Sequence, residues 1–427
     1  MLDWRRLLSA SRQRGDRVEP VDPARSPFQK DFDRIVFSSA FRRLQDKTQV
    51  HPRPGNDYVR TRLTHSLEVA SVGRSLGAAA GQVVSGRRRL PRDLGAAEFG
   101  HIVSAACLAH DIGNPPFGHR GEALIQDWFA TSARGRAAIS GLTPGQQLDF
   151  LHFEGNAQGF RILTRLQNWT EDGGMRLTAA VLGAFTKYPR LSDAASPDGS
   201  APAGTRKFGV MQAEARTFRD LAQETGLPED NPGQWRRHPL AWLVEAADDI
   251  CYSIVDLEDG FKLGKLPFET VEALLRPIAG DGRRYREISE PGRRVGYLRA
   301  KAIGRLVDQA VTAFLDMEPD MLDGRAGPPL LEVMPAHHLV DEIARVTASE
   351  VFVPDDDYDH SLGADRAIAH LLDRSLAGQA GGGYARILEC TDHVSGMTDS
   401  YALLTYRESS GMLRRRSGVG SDRGNPT

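Results

Sequence analysis

Cysteine is scarce in this chain. Its 427 residues include three, Cys107, Cys251 and Cys390, widely separated and each in a locally apolar stretch. That spacing excludes a disulfide framework and a Cys-rich zinc module, and it leaves buried structural thiols as the reading. An excess of one charge sign is also lacking, since 54 Lys and Arg stand against 56 Asp and Glu for a formal net charge of -2. Strong overall attraction to nucleic acid or to an anionic membrane is therefore not implied. No run of about 20 apolar residues is present that could span a bilayer. The N-terminal MLDWRRLLSASRQRG has neither the apolar stretch nor the cleavage site of a signal peptide, so a cytoplasmic protein is expected. Alternating period-two runs are few and no repeat of roughly 20 to 50 residues recurs, which disfavours a sheet-based fold and a helical solenoid.

What is present is a globular composition, 40% hydrophobic and 26% charged, with helical periodicity nearly everywhere. From Arg62 to Val84 apolar residues recur at Leu63, Leu67, Val72 and Leu76, steps of four or five that predict one buried helix side. Ala96 to Ala109 reads as a buried helix through Phe99, Ile102, Val103, Ala106 and Leu108. Pro239 to Leu257 opens with proline in a first-turn position and continues through Leu240, Leu243, Ala247, Ile250 and Ile254. Ala300 to Met317, His338 to Ala348 and Ala364 to Leu376 repeat the pattern, so an all-α fold is expected. Between helical segments, LSDAASPDGSAPAG (residues 191–204) reads as a mobile loop. The tail from Arg414, RRRSGVGSDRGNPT, reads as disordered.

The most informative local feature is His110-Asp111 in CLAHDIGNPPFGH, placed where the apolar helix meets Gly113, Pro115 and Pro116. Imidazole and carboxylate are both good ligands for a divalent cation, and a helix end beside a turn lets neighbouring side chains converge. Ordinary hydrogen bonding would also account for such a pair. Two further features shift that balance: His65 starts another amphipathic helix in RTRLTHSLEVA, and Asp248 lies in LVEAADDICYSIVDLEDG, where a core-like helix suddenly acquires carboxylates. A buried carboxylate needs a cation, an arginine or a network; the alternative is that Asp248 and Asp249 face solvent. Asp248, Tyr252 and Asp256 fall at i, i+4 and i+8 on one face, whereas Asp249 projects elsewhere, so Asp248 is the expected ligand.

The H...HD...D set is the signature of the HD superfamily of metal-dependent phosphohydrolases. The words FRRLQDKTQV, RTRLTHSLEVA, HDIGNPPFGHRGE, FEGNAQ, FTKYP, KFGVMQAE, EAADDICYSIVDLEDG and GMTDSYAL, in order from about residue 41 to 403, resemble deoxyguanosinetriphosphate triphosphohydrolases. The resemblance implies an all-α enzyme with an HD core over about residues 28–262 and a helical C-terminal elaboration over about 263–413. Residues 1–413 would form one catalytic domain that hydrolyses a deoxynucleoside triphosphate, with dGTP favoured, to the deoxynucleoside and inorganic triphosphate.

By the same resemblance His65, His110, Asp111 and Asp248 are metal ligands, and His119 with Glu122 is the acid/base pair. Arg62 falls at the triphosphate, Gln49 near the sugar, Tyr252 and Asp256 at the deoxyribose, and Lys187, Tyr188 and Lys207 at phosphate or sugar. A tyrosine ring under C2′ would exclude a ribose hydroxyl, and a carboxylate can accept from the 3′-hydroxyl. Asn114 stands where broader HD relatives carry a histidine, which leaves His119 as the proton-transfer group, as acid or as base. The cofactor implied is one divalent ion. Two nitrogen ligands suit manganese, iron, cobalt, nickel or zinc better than magnesium, with manganese favoured for activity. A homo-oligomer such as a hexamer, a nucleotide effector and weak single-stranded DNA binding are implied as well. The rival readings are an HD-family phosphohydrolase with a different leaving group, or a binding protein that responds to nucleotide or single-stranded DNA.

Overall fold

The computed structural model describes residues 1–12, 22, 24–48, 60–167, 173–194, 207–280, 282–325, 327–351, 358–377 and 383–411. Residues 195–204 of the expected mobile loop, and the expected disordered tail at 414–427, lie outside them. The fold is all-α, as the periodicity predicts: the strands among the described residues are Glu229–Asn231 and Gln234–Trp235, which pair antiparallel as one small hairpin. None of the described helices is long and apolar enough to cross a membrane.

Three helices build the centre. Arg62–Arg88 starts on a capping box in which the Thr61 and Thr64 side chains each accept from the other's backbone N–H. Ala96–Ala109 is buried over most of its surface, and Leu240–Lys262 is buried over nearly all of its length. The buried side of Arg62–Arg88 includes the predicted Val72 and Leu76, with Leu63 packed against it, but not Leu67. Leu67 is 43% exposed, and the packed face runs through Val69, Gly73, Leu76, Gly77, Ala80 and Gly81. The reason is steric: a Cβ at Gly77 would lie 2.6 Å from the carbonyl oxygen of Phe99, and one at Gly81 2.7 Å from the Phe99 Cβ. Glycines at this spacing let the two backbones approach in a way that a count of large apolar residues does not register.

Apolar side chains gather into two cores. The larger unites the three central helices with Pro27–Val36, Phe268–Ala279 and Pro291–Asp323. The smaller joins Ile125, Trp128 and Phe129 of the helix Gly118–Thr131 to Phe150, Phe153 and Phe208. It is completed by Ile368, Leu371, Leu372, Ile387, Leu388, Val394 and Ala402, from helices Tyr358–Ser375, Gly383–Ser395 and Asp399–Ser409, and by Met397 in the turn between the last two. Cys107, Cys251 and Cys390 are buried free thiols, as expected.

Candidate metal and acid/base centre

His65 lies in the first turn of Arg62–Arg88, His110 caps the end of Ala96–Ala109 with Asp111 next to it, and Asp248 sits midway along Leu240–Lys262. The close packing of these helices brings the four side chains together. His65 Nε2 is 2.9 Å from Asp248 Oδ1. His110 Nε2 is 3.5 Å from both Asp248 Oδ1 and Asp111 Oδ1. The His110 Nδ1–H donates to the Cys107 carbonyl at 2.7 Å, which fixes the tautomer and leaves Nε2 as an acceptor facing the cluster. One donor atom each from His65, His110 and Asp111 lies within 4.8 Å of the others.

Donor atoms bound at about 2.1 Å from a common divalent ion stand roughly 3.0–3.4 Å apart, so the spacing and the N/O chemistry fit a metal. Two partners orient Asp111. Arg62 Nη1 donates to its Oδ2 at 2.8 Å and Asn114 Nδ2 to its Oδ1 at 2.6 Å. Although burial opposes ionisation, the Arg62 guanidinium and the two imidazoles hold the Asp111 carboxyl well below the usual carboxylate range. Burial likewise opposes ionisation of Asp248, and His110 and His65 outweigh it. Asn114 thus orients Asp111, a contact that the sequence did not disclose.

Beside this cluster the chain turns at Pro115–Phe117 and enters Gly118–Thr131, which carries His119 and Glu122 three residues apart. His119 Nδ1 is 2.8 Å from Glu122 Oε2, and Glu122 Oε1 accepts from the Gly155 N–H at 2.8 Å. The imidazole is 77% exposed while Glu122 is buried. Its hydrogen bond to Glu122 raises the His119 pKa above the ordinary histidine value, with Lys207 and Arg62 pulling the other way. A second buried carboxylate, Glu154 of FEGNAQ, is raised first by burial and then by the charge of Glu122. No rule of spacing singled it out.

The remaining predicted contacts separate into groups. Arg62 is buried between Asp111 and Gly118, and its Nε has no hydrogen-bond partner among the described residues. Asp256 is 3% exposed and its Oδ2 lacks a partner among them too; burial pushes its carboxyl up to about 8. Tyr252, one turn before it, is 40% exposed. Asp249 is half-buried rather than fully exposed, and burial pushes it up to about 7. Lys187 is engaged with Glu245 at 2.9 Å, while Lys207 acts electrostatically on His119 and Glu154. The Tyr188 ring lies 5.7 Å from Lys187 Nζ and 6.0 Å from Lys207 Nζ. Gln49 lies outside the described residues.

Known proteins resemble this chain both over a part of it and over nearly all of it. The HD domain family profile matches residues 62–140, which include His65, His110, Asp111, His119 and Glu122. A deoxyguanosinetriphosphate triphosphohydrolase-like protein of Pseudomonas aeruginosa is 41% identical over 96% of this chain and 99% of its own length. One from Synechocystis is 43% identical over 96% and 100%. A deoxyguanosinetriphosphate triphosphohydrolase of Cronobacter sakazakii is 35% identical over 81% of this chain and 76% of its own.

Proposed function

Because this chain belongs to the deoxyguanosinetriphosphate triphosphohydrolase family of HD-domain proteins, we propose that it hydrolyses a deoxynucleoside triphosphate, with dGTP favoured, to the deoxynucleoside and inorganic triphosphate. The observation that carries this reading is the exposed His119 imidazole, backed by buried Glu122, beside a His/His/Asp cluster that Arg62 adjoins. His65, His110, Asp111 and Asp248 would hold one divalent ion, manganese by preference. When bound, that ion polarises the α-phosphate and lowers the pKa of water.

The rest of the reaction falls to side chains. Arg62, fixed by Asp111, and Lys207 oppose the charge of the triphosphate. Water adds at the α-phosphorus, the bond from phosphorus to the 5′-oxygen breaks, and the departing oxygen takes a proton. His119 is the donor of that proton, since its bond to Glu122 favours the protonated ring. Tyr252 would pack beneath C2′ and reject a ribose hydroxyl, and buried Asp256 would hold the 3′-hydroxyl. Lys187 and Tyr188 contribute at the rim of this wall, where Lys187 must share its charge with Glu245.

We read residues 1–413 as one unit. A cytoplasmic homo-oligomer with a nucleotide effector and weak single-stranded DNA binding is proposed on the family resemblance alone. The deciding experiment incubates metal-stripped and Mn²⁺-loaded protein with each dNTP and with GTP, and resolves the phosphate products by anion exchange. Triphosphate from deoxynucleotides alone, and only with metal, is expected. Pyrophosphate or orthophosphate would indicate another leaving group, and absence of product would move the reading to a nucleotide-responsive binding protein.

A further inference from the structure

The helix that carries His119 and Glu122 is entered through two consecutive left-handed residues, Phe117 at φ +64° and Gly118 at φ +58°. Glycine adopts that conformation freely, and at 118 a Cβ would lie 2.5 Å from Arg62 Nη2. Phenylalanine does not, and it persists there only where its surroundings fix it. The Phe117 N–H donates to Oδ1 of Asp399, 2.9 Å away and 282 positions along the chain. The other oxygen, Oδ2, accepts from the Thr48 N–H at 3.0 Å. One buried carboxylate therefore ties the entry of the His119 helix to the segment before residue 49.

That segment is itself fastened to the start of the His65 helix and to the turn after His110 and Asp111. Thr48 bridges to Thr61, and the Arg62 N–H donates to the Lys47 carbonyl at 3.1 Å. Lys47 Nζ donates to the carbonyls of Asn114 and Ser395, a second link between the same three places. Asp399 is not needed to cap its own helix, because the Thr398 side chain accepts from the Tyr401 N–H. Its two oxygens accept instead from the turn at Phe117 and from the segment ending at Thr48.

We propose that Asp399 is a positioning residue for hydrolysis: by accepting from the Phe117 and Thr48 N–H groups together, it sets the His119 imidazole relative to the helix that bears His65 and Arg62. The proposal rests on the reading of His119 as the proton-transfer group. A carboxylate suits the position because both partners are donors, whereas an amide would keep one acceptor and turn an NH₂ group toward the other N–H.

The test compares kcat and KM for dGTP in wild type, Asp399→Asn, Asp399→Ala, His119→Ala and the double variant Asp399→Ala/His119→Ala. It is paired with hydrogen exchange on the metal-free proteins. Displacement of a reacting group by about 1 Å costs on the order of 100-fold, so Asp399→Ala should lower kcat by about 10- to 100-fold with little change in KM. In the His119→Ala background the same change should cost nothing further. The Phe117 and Thr48 amides should lose protection together in Asp399→Ala, and one of the two should lose it in Asp399→Asn. If Asp399→Ala fails to fold, Asp399→Asn carries the same comparison with a smaller loss. Equal losses with and without His119, or unaltered kcat in Asp399→Asn despite lost protection, would overturn the proposal. Full activity of His119→Ala would overturn the reading of His119 and this proposal with it, whereas an additive Asp399 effect would overturn this proposal alone.

Discussion

The two halves of the centre are built differently. The candidate metal half comes from three helices of the larger core, whose proposed ligands are placed by close backbone packing: Gly73, Gly77 and Gly81 against Phe99 and Cys107, with Leu240–Lys262 buried alongside. The acid/base half comes from Gly118–Thr131, a helix of the smaller core, and the chain reaches it through a strained turn held by polar contacts with residues far along the sequence. Arg120, next to His119, pairs with Asp365 of the C-terminal helices at 2.8 Å in the same manner. Packing over-determines the first half, whereas a few hydrogen bonds register the second. Damage to one should therefore be separable from damage to the other.

The largest expected effect tests that separation directly. His119→Ala should lower turnover by about 10²- to 10⁴-fold, the usual range for a lost general acid, while bound metal stays at the wild-type stoichiometry by elemental analysis. Loss of metal along with turnover would show that the halves are one structure. The converse probe is Gly77→Ala. Its new Cβ would meet the Phe99 carbonyl, which is backbone and cannot rotate away, so a loss of about 1–3 kcal/mol in thermal or denaturant unfolding is expected, with weaker metal binding. Gly86→Ala on the same helix meets nothing within 4 Å and should instead stabilise by about 0.5–1 kcal/mol through helix propensity. Similar losses at both positions would remove close packing as the cause.

A smaller effect lies in the pH profile. Glu122 raises the His119 pKa, so Glu122→Gln should lower it. If the protonated ring is the acid that serves the 5′-oxygen, the alkaline limb of kcat moves to lower pH in Glu122→Gln. If the neutral ring activates water, the acidic limb moves to lower pH instead. A profile with neither limb displaced would detach Glu122 from the proton transfer.

The metal half was also the more legible in the sequence, for the same physical reason. His65, His110, Asp111 and Asp248 stand on segments whose periodicity or flanking turn residues mark helices and their ends, and the residue chosen from the i, i+4, i+8 face, Asp248, is the one that lies against His65 and His110. Apolar spacing found Val72 and Leu76 on the packed face of Arg62–Arg88 but misassigned Leu67 and missed Gly73, Gly77 and Gly81, because it counts large side chains while the closest contact is made where side chains are missing. Local pattern was silent about Asp399, Lys47 and Glu154, whose partners lie on other segments. Lys187 was visible as a lysine near a loop, but its engagement with Glu245 is a tertiary fact.

The finest probe of the two regions is the pH dependence of stability in the metal-free protein, because each core buries a titratable group with the opposite response. In the larger core His238 donates through Nε2 to the Leu7 carbonyl, and burial lowers its pKa from 6.5 to about 4. Its folded-state pKa is depressed, so the stability it contributes is present above about 6.5 and is lost as pH falls through about 4. Asp149, adjoining the smaller core at Phe150, accepts from Ser192 Oγ and from the Tyr384 hydroxyl, and burial raises its pKa from 3.8 to about 6. Its contribution is present below about 3.8 and is lost as pH rises through about 6. Between these limits the two act against each other, so the wild-type curve alone is nearly uninformative. Unfolding free energies of His238→Gln and Asp149→Asn, each subtracted from wild type over pH 4–7, separate them. The His238 contribution should grow with rising pH and that of Asp149 should shrink. Two difference curves of the same slope would show that the cores do not titrate as independent regions.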